Sequence, residues 1–158
     1  MPAGPDAPPG NVIGSIMGLT IRDMEETLKF WQGMLGWELT GDLEFSKDPT
    51  TLDLMGVSRS AEYRAMSAVV PGSRARMVFI EFKGVPRSEF NPRVPDPGAS
   101  GMAIRVAAIN DLLRRLKKQG VRVVSKGGEL VNWSESLRNV FVKDPNGLNV
   151  ELVGDVPK

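Results

Sequence analysis

The 158-residue chain contains no cysteine and no histidine. Without cysteine it forms no disulfide, no thiolate nucleophile and no cysteine-ligated zinc or iron–sulfur centre. Without histidine it lacks the usual general base near neutral pH and the commonest transition-metal ligand. These two absences exclude Ser-His-Asp catalysis, histidine zinc sites and iron sites built from two histidines and a carboxylate. Any chemistry must therefore come from carboxylates, Arg, Lys, Tyr, hydroxyls and backbone groups.

Long hydrophobic runs and an excess of one charge are also missing. No apolar segment approaches the roughly 18 residues that would span a bilayer. Twenty Lys and Arg against 19 Asp and Glu leave a formal charge of +1, which gives no basic footprint for nucleic acid. With 41% hydrophobic and 25% charged residues, we expect a globular protein with neither a membrane nor a nucleic acid partner.

The first ten residues, MPAGPDAPPG, contain four prolines and no apolar segment of the kind found in a signal peptide. We predict a disordered arm over residues 1–11. The compartment expected by default is the cytoplasm, although an exported chain with its signal removed would have the same sequence.

Two stretches of the chain follow one template. SIMGLTIRDMEETLKFWQGMLGWEL begins at Ser15, and SGMAIRVAAINDLLRRLKKQGVRVV begins at Ser100. Each opens with an alternating, strand-like run and passes into a helix whose apolar residues recur at helical spacing. Each helix then reaches a glycine, Gly36 or Gly120, at the matching place. The sequence therefore predicts an internal duplication.

The two copies also end alike. A further short strand is predicted after each helix, at Trp37–Phe45 and at Val121–Ser125. Two more strands then close each copy, the last being Met77–Phe82 in the first and Gly147–Leu152 in the second. The turn before the latter, DPNG, is typical of a hairpin. Each copy thus reads strand, helix and three strands.

We predict an α+β fold of two tandem βαβββ modules, residues 12–84 and 101–154, joined by a proline-rich connector over 85–100. Asp23 and Asn110 are the predicted N-caps of the two helices. A module of about 70 residues is too small to bury its sheet alone. The modules should therefore form one domain together or exchange with a partner chain.

This duplicated βαβββ unit resembles the vicinal oxygen chelate superfamily, which includes glyoxalase, bleomycin-resistance proteins and extradiol dioxygenases. The resemblance is carried by GLTIRDMEETLKFWQGMLGWEL, by LKKQGV and by FVKDPNGLNVELV, and it covers about Val12 to Val153. It implies a curved mixed sheet around a cavity, a small-molecule ligand and a homodimer.

In the metal-binding members of that superfamily, the first and last strands of each module supply the ligands. Carried onto this chain, the first-strand positions are Ile16 and Gly101, and neither is a ligand. The last-strand positions are Glu81 and Glu151. The resemblance therefore implies that half of the metal site is missing. We expect no metal cofactor, with Mg²⁺, Mn²⁺ or Ca²⁺ on the two carboxylates as the less favoured alternative.

Strand alternation extends this set of residues. If Glu151 faces the cavity, Asn149 does as well, and if Glu81 faces it, Met77 and Phe79 follow. The predicted lining is Ile16, Thr20, Met77, Phe79, Glu81, Arg105, Asn149 and Glu151. Within it, we expect Arg105 to be the cation beside two carboxylates that would otherwise repel each other. A structural ion pair and a role in ligand recognition are both open for Arg105.

Aromatic side chains supply the remaining candidates. Trp133, in the polar loop GGELVNWSESLR, has no core to join and is predicted to bind the ligand as a lid over the cavity or to form a dimer contact. Trp31 lies on the apolar face of the first helix and is predicted to be in the core. Of Tyr63 and Arg64, one should face the cavity and the other solvent.

Two functions are consistent with these residues. The first is metal-independent binding of an antibiotic-like molecule or a hydrophobic metabolite, as in the antibiotic-sequestering branch that the chain resembles. The alternative is a lyase or isomerase acting alpha to a carbonyl, with Glu81 or Glu151 as general base and Arg105 stabilising an enolate-like charge. The missing histidines argue against glyoxalase I and extradiol dioxygenase activity.

Overall fold

Each half of the chain forms its own four-stranded sheet. The computed structural model describes residues 16–157 and divides the chain into two compact units between Pro86 and Arg87. The first unit contains β1 (Ile16–Ile21), α1 (Met24–Leu28), β2 (Leu39–Ser46), α2 (Pro49–Leu54), β3 (Glu62–Val69) and β4 (Arg76–Lys83). The second contains β5 (Gly101–Arg105), α3 (Ile109–Lys118), β6 (Val131–Asn132), β7 (Leu137–Lys143) and β8 (Asn149–Asp155). The arm predicted over residues 1–11 lies outside the described residues.

The two sheets have the same topology. Their strand orders are β1-β4-β3-β2 and β5-β8-β7-β6. In each sheet the first strand pairs in parallel with the last one, and the other pairs are antiparallel. The predicted α+β fold of two tandem βαβββ modules is confirmed. No helix among residues 16–157 has the length and apolarity to cross a membrane.

The first helix begins at a side-chain cap and buries an aromatic cluster. Asp23 accepts a hydrogen bond from the Glu26 N–H at 2.9 Å, as predicted for the N-cap. After α1 the chain continues in π-helical turns over Lys29–Met34, and these bury Trp31. The Trp31 ring lies 4.6 Å from Trp37, measured between centroids, which confirms its predicted place in the core.

The second helix, α3, buries one apolar face and starts without a side-chain cap. Its buried residues are Ile109, Leu112, Leu113 and Leu116. The N-cap position is Ala108, so the prediction of Asn110 as the cap is wrong. Asn110 lies inside the helix, where its Oδ1 accepts a hydrogen bond from Arg138 Nη1 at 3.0 Å.

One predicted strand of the second unit is displaced. Val121–Ser125 does not form a ladder, because Val123 makes only an isolated bridge with Val142. The chain then turns through Gly127 and Gly128, both with φ of 71°, a left-handed conformation that favours glycine. The paired strand follows at Val131–Asn132.

The helix α3 covers one face of the second sheet and approaches it closely at Gly154. The side chains beneath it, Val150 and Leu152, are fully buried. A Cβ added at Gly154 would lie 2.6 Å from Ile109 Cβ, which is closer than carbon atoms pack. The start of α3 therefore depends on a glycine in β8.

We expect Gly154→Ala to destabilise the protein by about 1–3 kcal/mol, because the added methyl must displace Ile109. Gly101→Ala is the matched control, since a Cβ there meets Asn149 O at an ordinary 3.5 Å. Urea denaturation followed by circular dichroism measures both variants. Equal stability of the two would contradict the close contact between α3 and β8.

Candidate functional site

Glu81 lies on the helix-covered face of the first sheet. Its Oε2 accepts hydrogen bonds from the Met24 N–H at 3.0 Å and from Arg64 Nε at 2.8 Å. Met77 and Phe79 alternate with Glu81 onto the same face and are fully buried. The Phe79 ring lies 5.4 Å from that of Trp31. The prediction that Met77, Phe79 and Glu81 line an open cavity is therefore wrong.

The pairing of β1 with β4 explains this orientation. Glu81 pairs with Ile21, which is buried, whereas Thr20 pairs with Ile80. Partners in register share a face of a sheet. The predicted lining placed Thr20 and Glu81 together, although the pleat directs them to opposite faces.

Register also identifies the first-unit counterpart of Glu151. Gly18 and Ala103 each lie two residues into the first strand of their unit. Gly18 pairs with Val78, and Ala103 pairs with Glu151. The counterpart of Glu151 is therefore Val78, and the predicted equivalence of Glu81 and Glu151 is wrong.

Glu81 corresponds instead to Gly154, which lies three residues beyond Glu151 in β8. Both positions face the first residue of a helix: Glu81 accepts from the Met24 N–H, and Gly154 lies against Ile109. An alignment of the two last strands that is wrong by three residues reverses the face, because side chains alternate with a period of two. The two carboxylates thus have different surroundings.

Arg64 is the cation beside Glu81, and it links that residue to Glu25. The Arg64 Nη2 atom lies 2.7 Å from carboxylate oxygens of both glutamates. The hydrogen bond from Arg64 lowers the pKa of Glu25, and the same bond with Glu25 raises the pKa of Arg64. The Arg64 guanidinium also lies 4.8 Å from the centre of the Phe45 ring. The two ion pairs of Arg64, with Glu25 in α1 and with Glu81 in β4, hold the start of α1 against β4.

Sequence reasoning did not assign Arg64 to this place. The usable signal was cross-strand pairing, because Arg64 stands directly opposite Glu81 in the ladder of β3 and β4. Tyr63, the neighbouring residue, points to the other face, where it packs with Ile80 against a cluster that includes Phe82. Tyr63 is thus the member of the pair on the open face.

That open face carries a shallow apolar groove of about 390 Å³. The segment after α2 forms one wall, and β1 with β4 form the floor. Thr20 contributes the one hydroxyl, and no charged side chain lines the groove. Its lining residues are Gly18, Leu19, Thr20, Met55, Val57, Ile80 and Phe82.

In the second unit, Glu151 lies on the face opposite α3. Val150 and Leu152 point to the helix, so Asn149 and Glu151 point away from it. Glu151 Oε1 accepts a hydrogen bond from Asn139 Nδ2 at 2.6 Å. Asn139 is a residue of this site that sequence reasoning missed. Asn139 pairs across the strands with Val153, which lies on the same face of β8 as Glu151.

Arg105 does not pair with either glutamate. Its Nη2 atom lies 2.6 Å from Asp155 Oδ1, and both side chains are 67% exposed. The prediction that Arg105 is the cation between Glu81 and Glu151 is therefore wrong. An exposed ion pair of this kind contributes at most about 1 kcal/mol.

Lys143, a second cation on the face that carries Glu151, is buried and hydrogen-bonded to backbone carbonyls. Its Nζ donates to the carbonyl of Gly147 at 2.7 Å and to that of Pro92 in the connector. Burial lowers the pKa of Lys143. Lys143 therefore joins the connector to the turn between β7 and β8.

Two other predicted site residues are exposed. Ile16 is the first residue of β1, and the Trp133 side chain, just after β6, is 72% exposed. The roles predicted for Trp133, as a lid or as a dimer contact, and the homodimer itself stay predictions.

The residues present do not fit the metal site that the fold implies. Ile16 and Gly101 supply no ligand, and Glu81 is bound by Arg64 on the helix-covered face. Across residues 16–157 there is no group of three or more Asp or Glu side chains placed to hold a metal ion.

Comparison with known proteins identifies related sequences and folds. The model of the Glyoxalase/Bleomycin resistance protein/Dioxygenase superfamily matches residues 12–152. No curated protein sequence shows significant similarity to the chain. A glyoxalase family protein from Bacillus cereus has a similar structure, with a TM-score of 0.79 at 18% identity over 96% of this chain and 100% of that one.

Two further solved structures share the fold. A glyoxalase/dioxygenase from Nostoc punctiforme has a TM-score of 0.60 at 17% identity, over 98% of this chain and 99% of that one. The fosfomycin resistance protein FosX from Listeria monocytogenes has a TM-score of 0.58 at 14% identity, over 92% and 94%. A variant of that FosX is known in complex with Mn(II) and 1S,2S-dihydroxypropylphosphonic acid.

We expect Arg64→Met to destabilise the protein by about 3 kcal/mol, because it leaves the buried Glu81 carboxylate without a cation. Arg105→Met is the matched control and should cost less than about 1 kcal/mol, since its ion pair is exposed. Denaturant unfolding at neutral pH measures both. If the Arg105 variant lost as much stability as the Arg64 variant, the two ion pairs would not have the different roles described above.

Proposed function

Because the chain belongs to the Glyoxalase/Bleomycin resistance protein/Dioxygenase superfamily, we propose that it uses this fold to bind a small apolar molecule without a metal ion. The observation that carries the proposal is the groove on the open face of the first sheet. Its lining is apolar apart from the Thr20 hydroxyl. Apolar clefts with few polar groups are typical of small-molecule sites.

The charges around the groove support an uncharged ligand. The nearest carboxylate of β4, Glu81, points to the opposite face and is neutralised there by Arg64. An ion entering the groove would lose hydration without gaining a partner of opposite charge. A phosphonate such as the one bound by the Listeria FosX variant therefore does not suit this lining.

The size of the groove supports a small ligand. Its volume of about 390 Å³ lies at the lower end of the roughly 300–1,000 Å³ of small-molecule sites. Burying apolar surface contributes about 25 cal/mol per Å². An apolar ligand thus gains its binding free energy from the Met55, Val57 and Phe82 side chains rather than from ion pairing.

The lyase or isomerase alternative has less support from the geometry. It requires a glutamate base beside an arginine that stabilises a developing negative charge. Arg105 is paired with Asp155, and Glu81 is held by Arg64 and the Met24 N–H. Glu151 is then the carboxylate left for general-base chemistry, without an arginine partner among the described residues.

Gly18→Leu tests the proposed site by filling the groove. A Cβ at Gly18 meets no atom within 4 Å, so the leucine enters the groove without straining the strand. We expect it to weaken binding of the neutral fluorophore N-phenyl-1-naphthylamine at least about tenfold, or about 1.4 kcal/mol. Fluorescence titration measures the affinity, which should not change when EDTA is added.

Gly33→Leu is the matched control, because it adds the same side chain at an exposed helical position outside the groove. It should bind the fluorophore as the parent protein does. Absence of saturable binding by the parent, an equal loss in both variants, or a loss on adding EDTA would each overturn the proposal.

A further inference from the structure

Gly18 leaves an open floor in the groove on the first sheet. It is the third residue of β1, and glycine weakens the interior of a strand. The backbone does not require a glycine there, because Gly18 is not among the glycines with positive φ. Packing does not require it either, because an added Cβ meets no atom within 4 Å. Glycine in a strand often marks a place where a ligand approaches the backbone, so the space above Gly18 suits a flat group.

The side chains beside this floor suit an aromatic ring. Met55 and Phe82 line the groove, and the Met55 side chain is 38% exposed. A thioether sulfur makes favourable contacts with an aromatic ring, and aromatic rings pack well against each other in offset or edge-to-face arrangements. Methionine has three rotatable bonds, so Met55 adjusts to the edge of a bound ring. These residues therefore favour a planar aromatic system over a saturated one.

Thr20 supplies the one polar side chain of the groove. It lies on the same face of β1 as Gly18, about 7 Å further along the strand. Within residues 16–157 its hydroxyl makes no hydrogen bond, so it is available to a ligand. A hydroxyl both donates and accepts, and it therefore pairs with a neutral hydroxyl or carbonyl oxygen. A ring above Gly18 places such an oxygen, carried at its end, beside Thr20.

We infer that the groove binds a planar aromatic molecule with one neutral oxygen, a hydroxyl or a carbonyl, that is hydrogen-bonded to Thr20, an inference that rests on the proposed function because both use the same groove. The ring lies on Gly18 and contacts Met55 and Phe82. Burial of apolar surface stabilises many molecules of similar size to a similar extent. The Thr20 hydroxyl distinguishes a ligand that has an oxygen from one that lacks it, and Thr20 is thus a specificity-determining residue.

Three ligands of similar size test this specificity. They are 2-naphthol, which is uncharged at neutral pH, 2-methylnaphthalene, in which a methyl group replaces the hydroxyl, and the saturated alcohol decahydro-2-naphthol. Each is titrated into the ¹⁵N-labelled protein and followed at the backbone amide signals of Gly18 and Thr20. The parent protein should bind the saturated alcohol at least about fivefold more weakly than 2-naphthol, because its rings are not flat and make no aromatic contacts.

Thr20→Val removes the hydroxyl and keeps a branched side chain that suits an exposed strand position, so the fold is preserved. We expect it to weaken 2-naphthol binding about fivefold, as for loss of a neutral hydrogen bond, and to leave the affinity for 2-methylnaphthalene unchanged. Thr20→Ser keeps a hydroxyl and should retain most of the affinity for 2-naphthol. Thr40→Val is the matched control at an exposed position of β2 outside the groove, and it should bind all three ligands as the parent does.

Three results would overturn the inference while both flat ligands still bind. These are an equal effect of Thr20→Val on the two flat ligands, a loss of 2-naphthol affinity in Thr20→Ser as large as in Thr20→Val, and equal affinity for the saturated and the aromatic alcohol. The proposed function stands in each of these cases. The absence of saturable shifts at Gly18 and Thr20 with either flat ligand would also overturn it, and fluorophore binding then decides separately on the proposed function.

Discussion

The hydrogen bonds that Glu81 accepts from the Met24 N–H and from Arg64 determine which face of β4 lies against α1. The carboxylate satisfies an N–H at the start of α1, which has no partner within the helix, and the arginine neutralises it. Since side chains alternate along β4, fixing Glu81 against the helix directs Val78 and Ile80 to the open face. The apolar groove follows from this orientation.

The second unit has the same strand order, but different side chains occupy the matched positions of its last strand. Gly154 takes the place of Glu81, and the helix α3 approaches β8 through Ile109 rather than through a carboxylate. Glu151 takes the place of Val78 and brings a charge to the open face. One duplicated plan thus gives an apolar face in one unit and a face with polar and charged side chains in the other. The divergence lies in side chains at matched positions, not in the fold.

The sequence was sufficient for the fold and for part of the site. The duplication, the strand followed by a helix that opens each copy, and the burial of Trp31 follow from periodicity, which records burial directly. The face of Glu81 did not follow, because the similar endings MVFIEF and GLNVEL suggest an alignment that differs from the ladder by three residues. The partner of Arg64 required cross-strand register, and Asn139 carries no distinguishing local pattern. Long-range pairing decided each of these points.

Chemical labelling of single cysteines tests the orientation of β4 most directly, because the chain has no cysteine of its own. Maleimide labelling rates of Met77→Cys, Val78→Cys and Ile80→Cys would be measured in the native protein and normalised to those in urea. We predict reaction at positions 78 and 80, which are partly exposed, and protection at position 77, which is fully buried. Reaction at position 77 with protection at 78 and 80 would contradict this orientation.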